Sequence, residues 1–484
     1  MLFEEQREAE NKLKAHEGKM MQPAAPLKFD AIIVGGGPVG IALAIGLAQR
    51  EWKVLVVERR RLEIDEDELE WTKSYVFGID QRGVTALQSL DGVTQALDKA
   101  IQQKPGKFHI WGPSGDLKSI PLPPSKDKGY KLQRWQLISV LQRELEKQST
   151  SRWMHGSVES IDFQNGVAST LISLPGGGQQ VIHSKFVFGC DGINSQVRNT
   201  LASTDRKFSL STVSSPSAGL VLKSFSCGNP PGVENHETAV VKGTHGESLT
   251  MLSFTETGDL RPLCAARRPN FFLYKCRTVA QVYEALDREF PQLQGMISTE
   301  SVKNYLSTTP IIFSKPSWAS KAATTVNGVG VALVGDALHH FPPDIGQGVQ
   351  AGLVDVQELL RQLSTCKDSE EALKRYSDVA VNEAAAICRL VPRLVPYQYN
   401  MRGKWDRLGK CLFSANLWVR KRLSKGAGAG RFPFPFYPAP VTQILQQEPV
   451  LAYSEIWRQQ RWNDSVLTVM LVAILALLVK ARGL

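Results

Sequence analysis

The seven cysteines, Cys190, Cys227, Cys264, Cys276, Cys366, Cys388 and Cys411, form no CxxC pair and no spacing suited to zinc. An odd, unpatterned set excludes a disulfide framework and predicts reduced thiols in a cytosol-facing protein. Residues 1–28 contain no apolar stretch of the kind that opens a secretory signal, and their glutamates argue against an acid-poor transit peptide. They read as a polar, partly helical extension. No long apolar run occurs before the last twenty residues, which excludes a polytopic membrane protein. An excess of positive charge is also missing from most of the chain: residues 1–388 sum to about −1, which argues against a nucleic-acid-binding body.

What is present fits a folded multidomain protein. The 484 residues are 43% hydrophobic and 21% charged, close to globular averages. The formal net charge of +10 is concentrated at the end, where Arg389 to Leu484 carries 15 Lys/Arg against 4 Asp/Glu. That excess lies beside the strongly apolar run and points to an anionic membrane surface.

From Phe29 the chain reads FDAIIVGGGPVGIALAIGLAQREWKVLVVERR, a buried strand, a glycine turn, a helix and a second buried strand. Gly35-Gly36-Gly37-Pro38-Val39-Gly40 fits GxGxxG in the setting that a dinucleotide requires. Gly35 allows the tight turn, Gly37 lets backbone approach a pyrophosphate, and Gly40 lets helix and strand pack closely. The helix that Pro38 opens presents N–H groups to phosphate. Glu58, 23 residues after Gly35 at the end of VLVVE, can accept from two ribose hydroxyls. Gly35, Gly37, Pro38, Gly40 and Glu58 are therefore candidate cofactor contacts, without a choice between FAD and NAD.

Two later motifs make that choice by resemblance. Gly189-Cys190-Asp191-Gly192-Ile193-Asn194-Ser195-Gln196-Val197-Arg198 is similar to the GxDGxxSxxR signature of the FAD-dependent aromatic-ring hydroxylases, the class A flavoprotein monooxygenases. Gly335 to Gly348, GDALHHFPPDIGQG, resembles their GDAxHxxxPxxGQG signature. Independently of the family, Asp336 follows a strand and can accept from ribityl hydroxyls. Pro343, Gly346, Gln347 and Gly348 form an extended turn into a helix, where backbone N–H groups can meet a planar ring and favour negative charge. The resemblance further implies that Asp191 belongs to the FAD-contacting motif, that Arg134 lies near the flavin phosphates, and that Arg82, with Gly83, is a cofactor-site arginine. For Arg82 a helix-capping ion pair is an equal alternative. Cys190 reads as a small core residue, and His339 and His340 lack a third ligand for a metal.

Within that family the chain resembles kynurenine 3-monooxygenase-like proteins, in SYVFGIDQRGVTAL and in the C-terminal EIWRQQRWNDSVLTVMLVAILALLVKARGL. It departs from them at Lys73, Val76 and Gln350. In ungapped register from Ile120-Pro121, the arginine and tyrosine that grip an amino-acid carboxylate there fall on Phe108 and Leu122, while a one-residue shift would put the adjacent Lys107 in the arginine's place. The resemblance implies FAD, NADPH or NADH as co-substrate, O2, and hydroxylation or epoxidation of an aromatic or apolar small molecule, kynurenine-like substrates included. A non-hydroxylating FAD oxidoreductase such as an isoprenoid reductase, and a membrane-tethered inactive flavin-binding protein, stay open as alternatives. No catalytic side chain is nominated.

The expected fold class is α/β: a Rossmann-like FAD-binding domain over 29–204 and 316–388, with an inserted antiparallel-sheet substrate domain over 205–315. A basic helical region with a Gly/Pro linker follows over 389–460. Within this frame Pro175 to Gly178 predicts a hairpin, and Lys131 to Gln148 and Val279 to Phe290 predict helices. EIDEDELE at Glu63–Glu70 reads as an acidic surface loop, and GAGAG at Gly426–Gly430 as linker. Val466 to Val479 is an uncharged run of 14 residues, about 21 Å as a helix. With its flanks, residues 461–484 predict a single-pass anchor in the mitochondrial outer membrane or endoplasmic reticulum, with the catalytic part in the cytosol.

Overall fold

The computed structural model describes residues 27–60, 76–100, 106–121, 129–252, 260–394, 396–397, 404–427 and 450–481. The N-terminal extension, the acidic loop, Lys73, Leu122 and most of the Gly/Pro linker lie outside them.

Leu27–Val34 pairs in parallel with Val54–Glu58 on one side and Gln179–Gly189 on the other. The sheet continues to Ser151–His155 at one edge and through Val329–Leu333 to Ala323–Val326 at the other. Strands buried on both faces need continuous apolar runs, which Ala31 to Val34 and Val54 to Val57 supply. The helix Pro38–Ala48 is apolar all round and buries every residue but Val39, as a helix covered on all sides must. At Gly46 the helix Gly348–Thr365 comes so close that an added Cβ would stand 2.2 Å from Leu360 Cδ1. The expected hairpin forms between Val167–Ser173 and Gln179–Gly189.

This register brings the three motifs together. Val34 lies opposite Gly189, and Gly189 opposite Leu333, so the glycine turn, GCDG and GDA all leave neighbouring strands at their carboxyl ends. That edge is where open α/β sheets bind ligands.

The second sheet runs Ile311–Ile312, Val221–Gly228, Leu260–Arg267, Ser248–Met251, Thr238–Lys242, Lys107–Trp111 and Leu117–Pro121. Two expectations are corrected here. The hairpin of residues 107–121 falls within the span assigned to the FAD-binding domain yet completes the substrate sheet. Its pairing with Thr238–Lys242 is parallel, so the sheet is mixed rather than antiparallel. Local pattern carries no trace of a partner some 130 residues away. The helices Val279–Glu289 and Thr299–Ser307 supply Val282, Leu286 and Val302 to a core shared with Phe225 and Leu263 of the sheet.

Among the described residues four helices follow: Gly348–Thr365, Ser369–Leu394, Lys404–Ala427 and Tyr453–Ala481. The last begins as part of the body, burying Tyr453 and Ile456 against Ile387, Leu390 and Val391. Among the described residues no helix is long and apolar enough to cross a membrane, so the expected span is not found there. Residues 453–464 of this helix are largely polar and partly docked, leaving only the apolar run of about 21 Å, short of a hydrocarbon core of about 30 Å.

Candidate active site

The carboxyl edge of the parallel sheet opens into a cavity of about 460 Å3 lined by Gly35, Gly37, Glu58, Arg134, Asp191 and Asp336 among others. Gly35 has φ +103°, and an added Cβ there would lie 2.4 Å from the Cys190 carbonyl oxygen. Gly40 faces the same turn from the helix, its missing Cβ replaced by the Gly35 carbonyl oxygen at 2.0 Å. Pro38 occupies the first turn, where the absent N–H costs nothing. The turn is thus closed by contacts that only glycine permits.

Glu58 ends its strand with Oε2 accepting from the Gly36 N–H at 2.7 Å and Oε1 from the Arg60 N–H at 3.0 Å. Each oxygen keeps acceptor capacity towards the cleft. Arg59, Arg60 and Arg134 line the same cavity, a cationic wall suited to a pyrophosphate. Arg59 and Arg60 were legible as the pair following Glu58 but were not singled out.

Asp191 caps the helix Gln196–Thr204 through Oδ2, accepting from Gln196 N–H at 2.6 Å and Val197 N–H at 3.3 Å. Its Oδ1 is buried without a hydrogen-bond partner, a vacant acceptor at the cavity wall that fits a hydroxyl donor. Burial raises the Asp191 carboxyl above its ordinary value despite those hydrogen bonds. Arg198 bonds the Ala337 and Ile193 carbonyls at 3.0 and 2.5 Å, tying the second motif to the third. Burial pushes the Cys190 thiol well above its usual value, in keeping with a core role.

Asp336 faces the cavity. The protein mass around it raises its carboxyl, while His339 and Arg134 pull the other way. Behind it, His339 Nε2 lies 2.8 Å from Asp355 Oδ2, which also accepts from the Gly335 N–H at 2.9 Å. Burial disfavours the imidazolium, but the charge and hydrogen bond of Asp355, with Asp336, reverse that and raise the His339 pKa. His340, next in sequence, is held down to about 4 by burial, Arg198 and His339. Among the described residues no group of three or more His, Cys, Asp or Glu is placed to hold a metal.

Pro343–Ile345 is a short 3-10 turn ending at Gly346 in the left-handed region, φ +63°. Beyond the Cα positions of Gly346 and Gly348 lies open space, with no heavy atom within 4 Å of an added Cβ. A flat ring can approach the backbone there, at the first turn of the helix Gly348–Thr365. Gln350, the departure from the family pattern, donates to the Gly78 and Gly346 carbonyls at 2.7 and 2.8 Å, bracing the turn from behind. Gln347 turns its side chain away to Asp80 and Tyr453, two contacts the sequence reading missed.

Arg82 is not among the residues that line the cavity; its guanidinium donates to the Leu451 carbonyl at 2.6 Å and lies 4.2 Å from the Tyr453 ring centroid. Its helix is capped instead by Asp80, which accepts from the Arg82 and Gly83 N–H groups. On the second sheet, Phe108 is half-buried on the hairpin and Lys107 beside it is exposed. The residues present thus fit FAD: a ribose acceptor, a cationic phosphate wall, two carboxylates midway, and an open glycine turn.

Residues 28–391 match the FAD binding domain family. The chain is 25% identical over 413 residues to kynurenine 3-monooxygenase of Candida albicans, covering 80% of this chain and 86% of that protein. It is 28% identical over 365 residues to 3-demethoxyubiquinol 3-hydroxylase of Escherichia coli, covering 71% and 83%. The solved structure of p-nitrophenol 4-monooxygenase PnpA from Pseudomonas putida shares the fold, with a TM-score of 0.57 at 18% identity over 80% of this chain and 93% of that one. With the three motifs assembled at one sheet edge, these likenesses place the chain in the FAD binding domain family, as an FAD-dependent, NAD(P)H-using monooxygenase.

Proposed function

We propose that this monooxygenase inserts one atom of O2 into an aromatic or apolar small molecule that lacks an amino-acid carboxylate. The observation carrying this reading is Phe108, half-buried on the hairpin of residues 107–121, at the position matching a carboxylate-binding arginine. An apolar side chain there forfeits the charge-assisted hydrogen bonds that discriminate for a carboxylate. When bound, FAD takes two electrons from NAD(P)H and activates O2. The chain's own residues hold and shield it. Glu58 accepts from ribose, the glycine turn with Arg59, Arg60 and Arg134 neutralises phosphate, Asp191 and Asp336 accept from hydroxyls, and the turn at Gly346–Gly348 offers backbone N–H groups. The test is NADPH and NADH oxidation with a panel of apolar aromatics, alkenes and kynurenine under 18O2. The reading expects stimulated oxidation and labelled product with an apolar member. Kynurenine as the preferred substrate would overturn it.

A second observation supports a membrane location. Val469, Val472 and Leu477 of the terminal helix are 68%, 61% and 66% exposed, and Leu412 and Trp418 of the neighbouring helix are exposed as well. We infer that this apolar end, flanked by the basic C-terminal segment, dips into one leaflet of a cytosol-facing membrane, that of the mitochondrial outer membrane or endoplasmic reticulum. Flotation with anionic but not neutral vesicles is expected. No flotation with either would refute it.

A further inference from the structure

The last helix starts directly behind the turn of Gly346, Gln347 and Gly348. Tyr453, its first residue, is 1% exposed, and its hydroxyl donates to Gln347 Oε1 at 2.9 Å. The other end of the same amide, Gln347 Nε2, donates to Asp80 Oδ2 at 2.7 Å. Asp80 is itself fixed, because its Oδ1 caps the helix Gln81–Leu87. Arg82 from that helix returns to stack on the Tyr453 ring and to bond the Leu451 carbonyl. Glu383 closes the ring from the helix Ser369–Leu394, with Oε2 accepting from the Tyr453 N–H at 2.6 Å and the carboxylate bonding the Ser454 hydroxyl.

The amide of Gln347 therefore has one orientation. A carboxylate can receive only its NH2 end, which leaves its oxygen for the tyrosine hydroxyl. Gln347 lies between two glycines that meet open space, one of them at φ +63°. Such a backbone has little of its own to select one conformation. Beside the Gln350 bond to the Gly346 carbonyl, the turn is held by the Gln347 side chain on the far face, and one of that side chain's two hydrogen bonds comes from the C-terminal helix.

We propose that Tyr453 is a positioning residue for the flavin turn, so that the seated start of the C-terminal helix is a structural part of the flavin site. This rests on the FAD reading of the turn. It joins the segment bearing the exposed apolar end to the groups that meet the ring, through one buried hydroxyl.

The test is Tyr453→Phe in the full chain, which keeps the ring and its contact with Arg82 and removes the hydroxyl. Four quantities are compared with wild type: FAD affinity by titration of apoprotein, fluorescence of bound flavin, hydrogen exchange at 346–348 in apoprotein, and peroxide formed per NADPH. The expected result is FAD binding weaker by about two- to ten-fold, the loss for one neutral hydrogen bond, with faster exchange at the turn, brighter flavin and more peroxide. Gln347→Met alone and with Tyr453→Phe completes a cycle, in which the two effects should not add. Exchange across 453–464 reports whether the helix stays seated, and Glu455→Ala, half-buried and bonded to Arg458 and Gln459 of its own helix, should leave every quantity unchanged. Wild-type turn exchange and FAD affinity in a seated Tyr453→Phe protein would overturn the proposal, as would full additivity of the two variants. Failure of the wild type to bind FAD would instead sink the flavin reading itself.

Discussion

Gly40→Ala probes the glycine turn most sharply. The added methyl would stand 2.0 Å from the Gly35 carbonyl oxygen and 3.2 Å from Cys190 Cβ, whereas unstrained contacts of this kind need about 3.5 Å. The carbonyl cannot retreat alone, since the Gly35 Cα already lies against the Cys190 and Asp191 backbone. Overpacking of this kind costs about 1–3 kcal/mol, and the strain falls on the peptide that must face the pyrophosphate. Expressed as FAD affinity that is roughly 5- to 150-fold. Gly46→Ala, one turn and a half further along the helix, is the control. Its methyl would meet the Leu360 side chain at 2.2 Å, a flexible group far from the cleft, so stability should fall while FAD affinity holds. Titration of both apoproteins with FAD, beside chemical denaturation, separates the cases. A folded Gly40→Ala protein that binds FAD within two-fold of wild type would refute the packing argument.

Glu58→Ala removes the acceptor of the Gly36 and Arg60 N–H groups together with the ribose acceptor. Charged hydrogen bonds of about 1.5–3 kcal/mol imply a loss of FAD affinity of roughly ten-fold or more, read by the same titration. The two adjacent histidines act on stability with opposite signs. His339, raised by Asp355, contributes stability that is complete below about pH 6.5 and is lost as pH rises through its folded-state value, so His339→Gln should flatten the decline above neutrality. His340, held down to about 4, costs stability as pH falls from about 6.5 towards 4, so His340→Gln should flatten the acid limb. Denaturant midpoints from pH 4 to 9 check both. Val472→Asp with Leu477→Asp, at exposed positions of the terminal helix, should abolish vesicle flotation and leave FAD content unchanged.

The cofactor cleft was legible in the sequence because its demands are local. A turn at φ +103°, a helix start and a strand-end carboxylate each leave a fixed residue type at a fixed offset, as Gly35, Pro38 and Glu58 do. What the sequence concealed is non-local. The hairpin of residues 107–121 joined the wrong domain because its partner, Thr238–Lys242, is distant. For Arg82 the motif offers a cofactor contact or a helix-capping ion pair, while its partners in the fold, Leu451 and Tyr453, lie some 370 residues away. For the terminal helix, the apolar run and its flanks over 461–484 suggest a span. Its other half carries a pattern of docking, Tyr453, Ile456, Gln460 and Asn463, that a hydropathy count averages out. Gln350, a departure on paper, proves to brace the flavin turn through two backbone carbonyls.

The most direct test of the central claim is the fate of oxygen. Purified protein carrying FAD is given NADPH or NADH under 18O2 with the apolar aromatic or alkene that most stimulates its oxidation, and the product is weighed by mass spectrometry. The account predicts one 18O atom in the product and one NAD(P)H consumed per turnover. NAD(P)H oxidation that yields only peroxide, or a reduced product without label, across the whole panel would contradict it.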